Sequence, residues 1–142
     1  LNVHGLSGDE HRAILRELWA EQLDGEERAM EAHGGFVSDR SPLDFAAFAL
    51  LFHSYHPPFC DDFVPTATAR ADQYDAIVVL PWGVLPLEED GIRSTNRWYQ
   101  RHFQSTVEGL IRTSVDPSAA WFLPRLEDLE RRVDWVRQRI AP

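Results

Sequence analysis

Apolar residues Ile14, Leu15, Leu18, Trp19, Leu23 and Met30 fall mostly on one face at helical spacing, which predicts a helix from Ser7 to about His33. Ser7 with Glu10 three residues later forms a capping box at its start, and Gly34-Gly35 ends it. The short apolar run 36–38 reads as a strand. Ser41-Pro42 then opens a second helix, with Asp44 in its first turn. That helix runs to about Tyr55 and is apolar nearly all round, so it is expected to be buried on more than one side. His56-Pro57-Pro58 stops it, and the segment to about Thr66 reads as a loop, with a short helix around 67–73.

The run 76–80 (Ala-Ile-Val-Val-Leu) is β-branched without alternation, which suits a strand covered on both faces of a parallel sheet. A Pro-, Gly- and acid-rich loop follows to Ile92. Ser94 is the expected cap of a helix to about Thr113, and 119–123 reads as a third strand. Pro124 is the expected start of the last helix, where Leu126, Leu129, Val133, Val136 and Ile140 make an apolar stripe. Alternating helices and strands predict a single α/β domain over residues 1–142, three layers thick, with a mainly parallel sheet. Three strands are few for that class. This points to a further strand and helix ahead of Leu1, so the domain is expected to be incomplete at its N-terminus.

Composition narrows the function classes. An apolar fraction of 44% and a charged fraction of 26% are ordinary for a globular protein. No run is long enough to span a membrane, and no signal peptide is visible. The net charge of -9 argues against nucleic-acid or membrane-surface partners. One cysteine, Cys60, excludes an internal disulfide and fits the cytoplasm. All fourteen cations are arginine, so a phosphate loop ending Gly-Lys-Ser/Thr does not occur within these residues.

The chemistry-bearing stretch is Gly34 to Asp44. It is expected to set Asp39 and Arg40 at the carboxyl end of a buried strand, where α/β folds bind ligands. A carboxylate there can hold a hydrated Mg²⁺ or accept a hydroxyl proton, and the arginine can fork onto a phosphate. Both also suit a salt bridge at a helix start. Ser41 and Asp44 suit capping, and Asp44 alternatively a sugar hydroxyl. His53, His56, Cys60, Asp61 and Asp62 invite a metal reading, but they match no well-defined ligand spacing and include one thiol. Arg97 and Arg101 lie a turn apart on one helix face, which suits either solvent or an anion.

Four segments recur in order: 36–44 (Phe-Val-Ser-Asp-Arg-Ser-Pro-Leu-Asp), 74–81 (Tyr-Asp-Ala-Ile-Val-Val-Leu-Pro), 90–93 (Asp-Gly-Ile-Arg) and 131–136 (Arg-Arg-Val-Asp-Trp-Val). Together they resemble the AAA-type ATPases related to the nicotinamide riboside kinase domain, P-loop proteins of the nucleoside and nucleotide kinase type. The resemblance covers about Glu21 to Ile140. It implies a P-loop-kinase-like fold whose first strand, phosphate loop and following helix are not in this stretch. It implies ATP and Mg²⁺ as cofactors and phosphoryl transfer to a small acceptor such as a nucleoside or nucleotide. Without the loop, little or no activity is expected of these residues alone.

By the same resemblance Asp39 is the catalytic and metal-linked acid, Arg40 the catalytic anion anchor and Arg93 the lid cation. Arg97, Arg101 and Pro124 are expected at the nucleotide, Pro124 in the turn that packs on adenine. Asp44, Tyr55 and His56 are expected at the acceptor. Two other readings use the same residues: a non-catalytic binding or assembly module with the same fold, and a metal hydrolase built on the His53 to Asp62 cluster.

Overall fold

The computed structural model describes residues 6–84 and 95–140. The chain divides into two compact units, residues 1–71 and 72–142.

The N-terminal unit is three helices. Helix α1 (Gly8–His33) starts on the Ser7/Glu10 capping box and ends at Gly34, whose φ of 70° is the left-handed conformation that favours glycine. Helix α2 (Pro42–His53) begins where the Asp44 carboxylate accepts from the backbone N–H and the hydroxyl of Ser41, each at 2.8 Å. Helix α3 is Pro57–Ala71. Alanines 46, 47 and 49 of α2 and 67 and 71 of α3 are all fully buried, and their small side chains suit closely packed helices. Around them lie Leu15, Leu43 and an aromatic cluster in which Trp19 meets Phe45 and Phe63 edge-on at 5.4 and 5.9 Å. α2 is buried on more than one side, as its composition requires.

The C-terminal unit is a β-α-β segment followed by a helix. Strands β1 (Ile77–Val79) and β2 (Ala120–Phe122) pair in parallel, with Ile77 opposite Ala120 and Val79 opposite Phe122. Helix α4 (Arg97–Ser114) connects them, and its Val107 and Ile111 are buried along with Ile77, Val79, Val115 and Leu123. Helix α5 (Leu129–Ile140) closes the chain.

The three-layer, mainly parallel P-loop-kinase-like sheet is not formed. The described residues are mostly helical, with five helices and one two-stranded sheet. The decisive difference is at 36–38. Three residues make a strand only against a neighbouring strand, and this segment has none among the described residues. It runs as irregular chain beside α1, with the Gln22 side-chain amide donating to Ser38 Oγ and, at 3.2 Å, to the Arg40 carbonyl. Val37 is 98% exposed. Without that strand, helices 1 to 3 pack on one another rather than on a sheet.

Two smaller corrections have equally local causes. The expected loop after His56 is the first part of α3. Pro57 and Pro58 occupy first-turn positions where no backbone donor is needed, and Pro65 is carried inside the helix. The expected helix start at Pro124 is delayed to Leu129, where the Asp128 carboxylate accepts from the Arg131 N–H at 2.8 Å. Ser94, the expected cap of α4, lies outside the described residues; Asn96 caps the helix by accepting from the N–H groups of Trp98 and Tyr99. Among the described residues, no helix is long and apolar enough to cross a membrane.

Candidate functional site

In the N-terminal unit, Asp39 and Arg40 follow the irregular 35–38 segment and are both exposed. They do not end a strand, so the sheet-edge placement expected from sequence is corrected. Arg40 sets its guanidinium 5.6 Å from the centre of the Phe48 ring, a cation–π contact at the start of α2. Asp39 lines a hollow of about 270 Å³ with Glu21, Gln22, Glu26 and Phe36. Among the described residues, no group of three or more His, Cys, Asp or Glu side chains is placed to hold a metal ion. Magnesium does not need such a group, since it keeps several waters and takes one or two carboxylates alongside phosphate oxygens. Asp44 is engaged as the cap of α2, so its carboxylate already satisfies two donors.

Tyr55 and His56 lie in the turn between α2 and α3. Tyr55 is exposed, whereas His56 lines an open cleft of about 420 Å³ with Asp9, Arg12, Arg16, Pro58 and Phe59. Arg16 reaches Asp62 at 2.8 Å and lies over Phe59 at 5.2 Å, and Arg12 pairs with Asp9. Sequence reasoning did not select Arg12 or Arg16. Their four-residue spacing on α1 is the available signal, but it is equally that of a solvated helix face.

In the C-terminal unit, the carboxyl ends of the parallel strands bring several groups together. The Leu123 N–H bonds the Val79 carbonyl at 2.9 Å, so β1 and β2 end side by side. Beyond them the Arg125 guanidinium donates to the carbonyls of Trp82 at 3.0 Å and Gly83 at 3.2 Å, clamping the two exits. Gly83 has φ 69°, which lets the chain turn there. Arg101, one turn into α4, holds its guanidinium 5.3 Å from the Trp82 ring centre. Gln104, on the same helix, donates to the Leu80 carbonyl at 3.1 Å.

Of the three residues expected at the nucleotide, Arg101 belongs to this strand-end cluster, and Pro124 follows β2 after Leu123. Arg97 instead lies 4.9 Å over the exposed Trp98 ring. Arg93 and Asp90 lie outside the described residues. Trp82 and Arg125, which also meet at the strand ends, are not among the residues expected from sequence. A lone arginine after a strand gives no sequence sign that it will reach carbonyls more than forty residues away.

No family model, curated protein or solved structure matches the chain.

Proposed function

We propose that this chain binds ATP with magnesium and takes part in transferring the terminal phosphoryl group to a small acceptor such as a nucleoside or nucleotide. The reading rests on the order of its motifs and is carried in the structure by one observation: Trp82, Arg101 and Arg125 meet at the carboxyl ends of two parallel strands. Strand carboxyl ends are where open α/β units take ligands. It does not require the three-layer sheet.

Trp82 offers an aromatic face to a purine. Among the described residues no carboxylate pairs with Arg101, which leaves its planar fork of donors for phosphate oxygens. Arg125 is a positioning residue that fixes the Trp82–Gly83 turn. Separately, and by the motif resemblance alone, Asp39 in the N-terminal unit would hold magnesium through water and Arg40, Tyr55 and His56 would contact an anionic acceptor. The same resemblance gives Arg93 the role of neutralising charge during transfer. Bound magnesium supplies charge neutralisation at the phosphates. These residues contain no lysine, so arginine is their one permanent phosphate-binding side chain. The cytoplasm is the compartment this reading assigns.

Thermal unfolding with MgATP tests the proposal. A saturable rise in midpoint is expected for the wild-type chain and is lost in Arg101→Ala. No rise up to millimolar MgATP refutes it. A second reading, a non-catalytic assembly module, is favoured by α5: Leu129 and Ile140 are 72% and 66% exposed, and no residue of that helix is buried.

A further inference from the structure

His53 is a fully charged-capable side chain enclosed in an apolar helix junction, at 1% exposure. Its Nε2 lies 2.6 Å from Nδ1 of His11, which joins the last turn of α2 to the first turn of α1 across 42 residues of chain. A hydrogen bond between two imidazoles needs one N–H and one lone pair. Neutral or singly protonated, the pair can supply both. Doubly protonated, it presents two N–H groups to each other at that distance, and the bond becomes a repulsion.

The surroundings offer no relief. From α1, His53 faces His11 and the Arg12 cation; from the α2–α3 turn, His56 and the Tyr55 ring at 6.2 Å; from α3, the Phe59 ring edge at 5.2 Å and Cys60, whose thiol donates to the His53 carbonyl at 3.2 Å. Among the described residues no carboxylate is hydrogen-bonded to either imidazole of the pair. His53 Nδ1 is buried without a partner, so a proton added there finds no acceptor.

We propose that the His11–His53 contact is an acid-sensitive latch that holds the start of α1 against the end of α2 and releases when both rings are protonated. Burial first, then the His11, Arg12 and His56 charges, push the His53 pKa from 6.5 down to about 4, and burial lowers that of His11 as well. The folded state therefore disfavours protons that the unfolded chain takes up near 6.5. Stability at this junction is fully present above that value and is lost as pH falls from 6.5 toward about 4. The shift of His53 from 6.5 to about 4 makes local opening at pH 5 about 20-fold more frequent than at neutral pH.

The test is a ¹⁵N-resolved imidazole titration of the whole chain, with amide exchange corrected for its intrinsic pH dependence. The latch predicts that His53 titrates well below 6 and that protection near residues 8–14 and 49–54 falls on the order of 10-fold or more by pH 5. It also predicts that His11→Gln, which keeps a donor and an acceptor but does not titrate, cuts that fall to below about 3-fold. An ordinary titration of His53 near 6.5 overturns the proposal even if the variant fails to fold. An equal loss of protection in wild type and variant overturns it too.

Discussion

Replacing Arg70 by alanine removes the cationic partner of a buried carboxylate. Glu26 of α1 is 4% exposed, and its Oε2 accepts from Arg70 Nη2 at 2.7 Å and Nε at 3.3 Å, tying α1 to the last turn of α3. Breaking a buried ion pair from one side costs about 3–5 kcal/mol, because the remaining charge stays desolvated. Two features pull this case to the lower end. Gln22 still donates to Glu26 Oε1 at 2.8 Å, and the Arg70 side chain is already 28% exposed. The expected loss is about 3 kcal/mol. With a urea slope of roughly 1–3 kcal/mol/M, the unfolding midpoint of the N-terminal unit falls by about 1–3 M at unchanged slope. Residue-resolved hydrogen exchange in urea reads this unit separately. The double replacement Glu26→Leu with Arg70→Met removes both charges and should cost about 1 kcal/mol or less. If Arg70→Ala costs under about 1 kcal/mol, or the double variant costs as much as the single one, the charge-burial reasoning is refuted.

Two further perturbations test the backbone. Gly34→Ala puts a Cβ on a left-handed residue at the end of α1 and should destabilise the unit by about 1 kcal/mol in denaturant unfolding; no loss would show that the cap relaxes freely. Pro65→Ala restores a donor inside α3 toward the Asp61 carbonyl and should raise the thermal midpoint by several degrees; an unchanged or lower midpoint would refute a cost for the proline there.

The parts of the fold legible in the sequence were those with local causes. The Ser7/Glu10 box, the Gly34 stop and the Ser41-Pro42 start are encoded within a few residues, and the structure places all three as expected. The β-branched run around Ile77 and the apolar run around Ala120 pair in parallel, as their unbroken apolar character suggests. What failed depended on distant partners. Phe36-Val37-Ser38 has strand composition, yet a strand exists only by pairing, and Gln22 holds the segment to α1 instead. The prolines after His56 suggest a break by composition, yet two of them sit where a helix tolerates them. The candidate site divides the same way. Arg101 is an expectation of helix spacing and motif order, whereas Trp82 and Arg125 join the proposed cluster through backbone carbonyls and a ring face that no local pattern announces.

The proposed nucleotide site is tested most directly at Trp82. Its indole N–H is one of five in the chain and is assigned in solution spectra by its absence from Trp82→Phe. On titration with MgATP the account predicts a saturable shift of the Trp82 signal, greatly weakened in Arg101→Ala. A Trp82 signal unmoved by millimolar MgATP, with the protein folded, would contradict it.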